Sequence, residues 1–259
     1  MKVLPSGGRV IGIPGSELPL YLEDNHYPTI ANSLLLVDFA NGCTDTSGLV
    51  AAGDGDSVRT VRLPSGWGAS LGDGLLRQDA EANRPIWRTS GLQTNGVSTR
   101  LIFPGTISLP GAFTVYNVLD MQGSTKSPYL GFSGNVGSYG GVVPDYFTAG
   151  GGLRAYSDNA STYNQSAGWS PTGLAVIRMR RTAANAMYFA ATGLSEVAKS
   201  STSYTWVLDR WLARGGSSPD WTNSGIRSLG GMIIGADAVT AGTSTAAEAW
   251  LLARFGVTL

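Results

Sequence analysis

The sequence predicts an all-β protein: an antiparallel two-sheet jelly-roll sandwich with one short C-terminal helix and an extended N-terminal arm. Three observations predict this class. Glycine and proline supply 36 and 12 of the 259 residues, whereas charged residues supply only 14%, a composition that favours turns over long charged helices. Short apolar runs alternate with turn residues from Ser33 onward, as in a sandwich. No long helical pattern separates these runs, which argues against a parallel α/β fold.

Residues 1 to 32 form the predicted arm. They contain glycine, proline and scattered apolar side chains without a sustained period, which indicates an extended segment. The apolar side chains are Val10, Ile11, Ile13, Leu18, Leu20, Tyr21 and Leu22. A free tail usually carries fewer apolar residues, so we expect the arm to dock on the body of the chain or on a neighbouring subunit. A disordered terminus is the alternative. Residues 33 to 259 form the predicted sandwich domain.

Eight apolar runs mark the predicted strands. They are Leu34 to Phe39, Val58 to Leu63, Val97 to Phe103, Phe113 to Met121, Leu174 to Arg180, Ala186 to Ala191, Tyr204 to Leu212 and Leu229 to Ile234. The run that begins at Phe113 is apolar on both faces, which predicts a central strand. In the run that ends at Arg180, a period of two places Ala175, Ile177 and Met179 on one face and the two arginines on the other.

The predicted helix lies near the end of the chain. Thr245 to Glu248 reads as a capping box, which predicts the helix start. Apolar residues then recur at helical spacing through Trp250, Leu251 and Phe255, and Gly256 is placed to end the helix. We expect its apolar face to dock on the sandwich.

The order of several motifs resembles a known group of proteins. These motifs are Arg84-Pro85-Ile86-Trp87, Asn95-Gly96-Val97, Leu101-Ile102-Phe103, Gly111-Ala112-Phe113-Thr114-Val115-Tyr116 and the closing segment Trp250-Leu251-Leu252-Ala253-Arg254-Phe255-Gly256. They resemble the concanavalin A-like, laminin-G-like jelly rolls of bacteriophage and bacterial surface proteins. The resemblance implies a lectin-like structural protein on the surface of a phage virion, as a head decoration, head fibre or tail component. Its partners would be other virion proteins or copies of itself in a homo-oligomer.

Composition excludes several other functions. Eighteen basic and eighteen acidic residues cancel, so no general field attracts nucleic acid or anionic lipid. No apolar run reaches the length needed to cross a bilayer. One cysteine, Cys43, and one histidine, His26, cannot form an internal disulfide or a Cys/His zinc site. We therefore predict no nucleic-acid partner, no membrane insertion and no cofactor.

The sequence also lacks familiar catalytic motifs. None of the five glutamates, Glu17, Glu23, Glu81, Glu196 and Glu248, has an acidic residue two positions later, so the paired carboxylates of a glycan-cleaving E-x-D-x-x-E strand are missing. Gly68 to Gly72 matches G-x-S-x-G, but the histidine lies upstream rather than downstream. We therefore predict that the protein is not an enzyme, with glycan hydrolase as the less favoured alternative.

A tyrosine-rich segment between Gly131 and Trp169 is the candidate glycan site. Its candidate ligand-binding residues are Tyr139, Tyr146, Tyr156, Asp158, Asn159, Tyr163, Asn164 and Trp169. Aromatic rings cover the apolar face of a pyranose, while Asp and Asn bond to its hydroxyls. Recognition of a host surface glycan is therefore the alternative function. The same aromatic residues could instead pack loops onto the sandwich or contact a neighbouring subunit.

Four aspartates leave one metal alternative open. Asp54 and Asp56 flank Gly55, and Asp38 and Asp45 lie upstream. Carboxylate oxygens of this kind bind calcium, which needs six to eight oxygen ligands. Aspartates beside glycine also form turns through side-chain to backbone hydrogen bonds. We predict turns and no bound metal, with calcium as the alternative.

Overall fold

The structure is a computed structural model of the chain. It describes residues 9–11, 21–23, 27–39, 43–44, 48, 51–64, 67, 71, 74–89, 91–93, 99–120, 132–133, 152–156, 163–167, 173–184, 186–199, 205–211, 227–236 and 241–259.

The described residues form strands and one α-helix. The strands are β1 (Arg9–Ile11), β2 (Tyr21–Glu23), β3 (Ser33–Asp38), β4 (Cys43–Thr44), β5 (Thr60–Arg62), β6 (Leu75–Arg77), β7 (Ile86–Arg88), β8 (Gly91–Gln93), β9 (Leu101–Leu109), β10 (Ala112–Asp120), β11 (Phe132–Ser133), β12 (Gly152–Tyr156), β13 (Tyr163–Ala167), β14 (Leu174–Arg181), β15 (Met187–Ala191), β16 (Leu194–Lys199), β17 (Trp206–Trp211) and β18 (Arg227–Ala236). The helix is α1 (Ala241–Phe255), and a short 3₁₀ turn spans Glu81–Asn83.

Two antiparallel sheets form the body of the molecule. The larger sheet has the order β16-β15-β14-β10-β18, after which β18 pairs with β8 at one end and with β3 along the rest, and β7 follows β8. The smaller sheet has the order β11-β17-β9-β6-β5-β4. Strands distant in sequence are neighbours in both sheets, as expected of a jelly roll rather than a row of hairpins. The predicted all-β fold with one C-terminal helix is confirmed.

Strand β10 is central in the larger sheet. It pairs with β14 on one side and β18 on the other, so that Val115 lies opposite Met179 and Ile233. Every residue of β10 except Asp120 is buried. The run that is apolar on both faces is therefore a central strand, as predicted.

The two sheets enclose the main hydrophobic core. Alternate residues of β14, namely Ala175, Ile177 and Met179, belong to this core, whereas Arg178 and Arg180 lie on the opposite face. Two fully buried tryptophans of β17 fill the space between the sheets. Trp206 packs on Phe113 with ring centroids 4.8 Å apart, and Trp211 packs on Phe39 at 4.2 Å. The period of two predicted for β14 is confirmed.

Helix α1 covers part of the outer face of the larger sheet. Its Ala247, Trp250 and Leu251 are buried in a second hydrophobic cluster, together with Tyr116 and Met232 of the sheet. The apolar stripe predicted from helical spacing is therefore the buried face. The molecule has three layers, in which the larger sheet is covered on both sides.

The two ends of α1 differ in how well the sequence predicted them. Gly256 has a φ of 70° and its N–H bonds to the Leu252 carbonyl at 2.8 Å, so the glycine ends the helix as predicted. The predicted start was wrong, because α1 begins at Ala241 and Thr245 lies inside it. The Glu248 side chain of the supposed capping box bonds to the sheet instead.

The end of the predicted arm contacts this outer layer. Tyr27 packs against Trp250 with ring centroids 6.1 Å apart, and its hydroxyl donates to Asp38 Oδ2 at 3.4 Å. Ile30 is buried in the same cluster. Earlier in the arm, β1 and β2 form a hairpin with Val10 opposite Leu22. The boundary at residue 32 stays a prediction.

In the described part of the chain, no helix has both the length and the apolar character needed to cross a membrane.

Candidate functional site

The tyrosine-rich segment falls largely outside the described structure. Tyr139, Tyr146, Asp158, Asn159 and Trp169 lie outside the described residues. The other three candidates are placed by backbone pairing of β12 with β13, in which Tyr156 lies opposite Tyr163 and Asn164 lies opposite Ala155. This hairpin places both tyrosines at one end of a two-stranded ribbon. A glycan site there stays a prediction.

The described residues gather a different group of polar side chains on the outer face of the larger sheet. We call this group the arginine cluster, and its members are Tyr116, Arg178, Arg180, Tyr188, Glu196 and Glu248.

Sheet register and helix docking assemble the arginine cluster. Tyr116 of β10 lies opposite Arg178 of β14, and Tyr188 of β15 lies opposite Arg180 of β14. Glu196 comes from β16, which is the outermost strand, and the helix supplies Glu248. The cluster therefore lies between the side of α1 and the edge strand β16.

Glu196 holds both arginines. Arg180 Nε donates to Glu196 Oε2 at 2.8 Å and Arg180 Nη2 donates to Oε1 at 2.5 Å. Arg178 Nη2 donates to Oε2 at 2.8 Å. The pairing of Arg180 with both carboxylate oxygens is the bidentate geometry that arginine uses for carboxylates and phosphates.

Glu248 binds the other terminal nitrogen of the Arg178 guanidinium. Arg178 Nη1 donates to Glu248 Oε1, and the Tyr116 hydroxyl donates to the same oxygen at 3.2 Å. Arg178 therefore lies between two carboxylates that come from a strand and a helix. The side chains remain partly accessible, with Arg178 15% and Glu248 32% exposed.

These contacts set the charge states of the cluster. The hydrogen bond from Arg180 is the main cause that holds the pKa of Glu196 below its ordinary value, and the same bond raises the pKa of Arg180. Burial works against the charge of Arg178, but Tyr116, Glu248 and Glu196 outweigh burial and raise its pKa. Glu196 is thus a stable carboxylate and is unsuited to act as a general acid at neutral pH.

An apolar groove adjoins the cluster. Its volume is about 270 Å³ and its lining residues are Val176, Glu248, Ala249, Leu251, Leu252, Val257, Thr258 and Leu259. The chain end forms one wall, since the Thr192 hydroxyl donates to the Thr258 carbonyl at 2.7 Å. Leu252 is 48% exposed. Glu248 belongs to both the groove and the cluster, so a mostly apolar concavity meets a few convergent polar groups, as in many ligand sites.

The sheet beyond the cluster carries small side chains. Ala190 of β15 lies opposite Arg178, and Ala198 of β16 lies opposite Tyr188. The Tyr188 ring lies under the Arg180 guanidinium, 4.0 Å from ring centroid to Cζ. Ala190 is buried, whereas Ala198 is exposed at the sheet edge.

The candidate calcium ligands form a turn. Asp56 Oδ2 accepts a hydrogen bond from the Gly53 N–H at 2.7 Å, and Asp54 Oδ1 accepts one from the Thr89 N–H at 3.2 Å. Asp38 instead bonds to Arg254 of the helix, and Asp45 lies outside the described residues. Within the described ranges, no three acidic, histidine or cysteine side chains come together. The calcium alternative gains no support from this turn.

Two other residues singled out from the sequence take no part in the cluster. Burial raises the pKa of the Cys43 thiol, so this cysteine stays protonated and unreactive. His26 lies outside the described residues.

Sequence reasoning missed the arginine cluster. It placed Arg178 and Arg180 on the outer face of their strand, but it did not connect them with Glu196 and Glu248. The available signal was a pair of arginines on one face of an otherwise apolar strand, which calls for nearby carboxylates in a chain with so few charges.

Comparison with known proteins identifies the fold but no family. No model of a known protein family matches this sequence, and no curated protein sequence is similar to it. A solved structure of Trypanosoma rangeli sialidase in complex with sialic acid is similar over 92% of this chain and 38% of the sialidase, with a TM-score of 0.52 and 13% identity. A GH54 α-L-arabinofuranosidase is similar over 88% of this chain and 60% of that enzyme, with a TM-score of 0.49 and 12% identity. The chain thus spans little more than a third of the sialidase, and the likeness is one of fold.

The comparison corrects one prediction. We predicted from the sequence that the protein is not an enzyme, and the similarity in fold to a sialidase contradicts that prediction. The sequence argument was too narrow, because it looked for two carboxylates on one strand. Glu196 and Glu248 instead meet at Arg178 from different elements.

Proposed function

We propose that this chain is a glycan-binding domain with a lectin-like fold, and that the arginine cluster and the adjoining groove form its sugar site. The observation that carries the proposal is the meeting of the groove with the cluster at Glu248. A sugar has an apolar ring face and a rim of hydroxyls, so it suits an apolar wall beside fixed donors and acceptors. The sialidase of similar fold was solved with sialic acid, which adds support for a sugar ligand.

The test is a glycan array with site variants. The wild-type protein is expected to bind a subset of glycans, and Arg180→Gln is expected to lose that binding because it removes the bidentate donor. Arg77→Gln is the matched control, since Arg77 is an exposed arginine on the smaller sheet. Equal binding by wild type and Arg180→Gln would contradict the proposed site.

The same array tests the tyrosine-rich segment. Tyr156→Ala and Trp169→Ala are expected to leave binding unchanged if the arginine cluster holds the sugar. Loss of binding in these two variants, with Arg180→Gln unaffected, would indicate that the sugar site lies within residues 139 to 169. No binding by any of the proteins would contradict glycan recognition altogether.

Glycoside hydrolysis is a second candidate function. The observation that favours it is the pair of carboxylates on either side of Arg178, because glycosidases use two carboxyl groups close together. Incubation with the bound glycans and chromatography of the released sugars would test it. Hydrolysis that Glu248→Gln abolishes would support this function, and intact glycans after long incubation would contradict it.

We further propose that the domain is displayed on the surface of a bacteriophage virion. Support comes from the motifs between Arg84 and Tyr116 and from the closing helix, which resemble jelly rolls of phage surface proteins. The low content of charged residues also suits a subunit packed among others, since interface cores are depleted in charge. Immunogold labelling of purified particles tests this setting, and particles that carry no label would contradict it.

A further inference from the structure

Glu196 occupies the two arginines in the manner of a bound carboxylate. Its two oxygens accept three hydrogen bonds, two from Arg180 and one from Arg178. Arginine recognises carboxylate ligands through the same parallel pair of N–H groups. The cluster thus displays, with a residue of its own chain, the contacts that an acidic ligand would make.

The position of Glu196 favours its replacement by a ligand. It projects from β16, the outermost strand of the larger sheet, and its side chain is 27% exposed. A Glu196 carboxylate released from the arginines would be hydrated at the sheet edge, so its release would leave no buried unpaired carboxylate. The arginines differ, since Arg178 is 15% and Arg180 is 21% exposed. Both arginines also have contacts that do not depend on Glu196, namely Glu248 for Arg178 and the Tyr188 ring for Arg180.

The remaining contacts would persist when Glu196 leaves. Glu248 still accepts a hydrogen bond from Arg178 Nη1, and the Tyr116 hydroxyl still donates to the same Glu248 oxygen. The Tyr188 ring still lies under the Arg180 guanidinium. These supports keep both guanidinium groups oriented, which limits the ordering cost of binding. Ala198, which lies opposite Tyr188 at the sheet edge, is exposed, so a ring attached to the incoming carboxylate can lie on that side of the cluster.

We infer that the ligand of the arginine cluster is a carboxylate-bearing sugar, whose carboxylate replaces Glu196 against Arg178 and Arg180. This inference rests on the proposed glycan-binding function and narrows it to one class of sugar. Uronic acids and sialic acids share the required group.

The experiment compares sugars that differ only at the charged group. Methyl β-glucuronide is titrated against methyl β-glucoside, and the methyl glycoside of N-acetylneuraminic acid against its methyl ester. Binding is followed by the NMR signals of the arginine Nε–H groups in the whole chain. We expect about tenfold tighter binding of each acid that binds than of its neutral counterpart, because its new hydrogen bonds are charge-assisted. The Arg180 Nε–H signal should shift.

Removal of the internal acceptor sharpens the test. Glu196→Ala is expected to bind the acidic sugar about two- to fivefold more tightly, since the partly exposed internal carboxylate no longer competes for the two arginines. Glu81→Ala is the matched control, because it removes one exposed carboxylate remote in sequence from the cluster. Glu196→Gln serves the same purpose if the alanine variant unfolds. Weaker binding in a folded Glu196 variant would overturn the inference, since Glu196 would then support the ligand.

The remaining outcomes separate the two proposals. Equal binding of acidic and neutral sugars would overturn the carboxylate inference and leave glycan binding intact. Acetate that binds as tightly as the acidic sugars, or glucose 6-sulfate that binds more tightly, would also overturn the inference. Tighter binding of only one acid, the glucuronide or the sialic acid glycoside, would support the inference and show which class of acidic sugar the cluster recognises. No sugar binding at any concentration tested would overturn both proposals.

Discussion

The inner and outer faces of the larger sheet are both buried over much of their area, and they contain different chemistry. The inner face meets the smaller sheet in a cluster of aliphatic and aromatic side chains. The outer face meets α1 in a smaller apolar cluster that is bordered by ion pairs. Arg178 bonds to Glu248 at one side of the helix, and Arg254 bonds to the buried Asp38 at 2.7 Å.

The inner face tolerates polar groups without satisfying them. Asn117 is fully buried, and neither atom of its amide has a hydrogen-bond partner among the described residues. The indole N–H groups of Trp206 and Trp211 are in the same condition. Arg181 is a charged residue on this face, and its guanidinium donates to the Gly111 and Leu109 carbonyls, because an ionised group without partners would be far more costly there. At the outer face, water reaches the rim of the helix, so charges can pair at a smaller desolvation cost. The difference explains why candidate binding chemistry lies outside the sandwich.

The largest expected effect tests the inner face. Trp206→Ala should lower the free energy of unfolding by about 3 to 5 kcal/mol, because it leaves a large cavity beside Phe113. Denaturant unfolding followed by circular dichroism measures the loss. Leu252→Ala is the control, since Leu252 is 48% exposed and should change stability little. Similar losses in the two variants would show that packing in the core between the two sheets contributes no more to stability than the exposed Leu252 does.

A smaller effect is expected at the helix. Arg254→Ala should lower the free energy of unfolding by about 1 to 3 kcal/mol, because it leaves the Asp38 carboxylate buried with a weaker set of partners. The double variant Asp38→Asn/Arg254→Ala should recover part of that loss, since the unpaired charge is then gone. Purely additive losses, measured as a double-mutant cycle by denaturation, would show that the two side chains do not interact.

A substitution at Asn117 is expected to increase stability or leave it unchanged, unlike the two substitutions above. Asn117→Leu should leave stability unchanged or raise it by about 1 kcal/mol, because the amide desolvation is no longer uncompensated. Thermal and denaturant unfolding beside wild type provide the measurement. A loss above about 2 kcal/mol would instead indicate that a buried water bonds to the amide, and the inner face would then be less dry than proposed.

The smallest expected effect is on the stability of the protein at acidic pH. The pKa of Glu196 is lower in the folded chain than its ordinary value, so its contribution to stability is complete at neutral pH and is lost as pH falls through the lowered pKa. Glu196→Gln should therefore lose less stability than wild type on acidification below about pH 4.3. The difference should stay below about 1 kcal/mol, because the pair is partly exposed. Unfolding curves of wild type and Glu196→Gln, recorded across this pH range, measure the effect. A difference in the free energy of unfolding that stays the same at every pH would contradict the prediction.

Several parts of the fold follow directly from local patterns. The alternation in β14 predicted which residues face the core, and the doubly apolar run predicted the central position of β10. The helical spacing of Ala247, Trp250 and Leu251 predicted the buried face of α1. Local patterns succeed here because each strand or helix must present one apolar face to a neighbour.

The prediction of the helix start failed because it rested on the local sequence alone. Glu248 was assigned to a capping box from its neighbours in sequence. The structure places this carboxylate inside a helix that begins at Ala241 and against Arg178, 70 residues away, so it does not cap the helix. A charged side chain with a long-range partner escapes such local reasoning.

The sequence by itself determined the all-β class, the faces of the main strands and the C-terminal helix, because these depend on side-chain periodicity along short segments. Only the tertiary structure decided which carboxylates meet the two arginines. Glu196 reaches them because β16 pairs with β15 at the sheet edge, and Glu248 reaches them because the helix docks on that face. Both contacts depend on strand order and layer packing, which arise from the whole chain folding against itself.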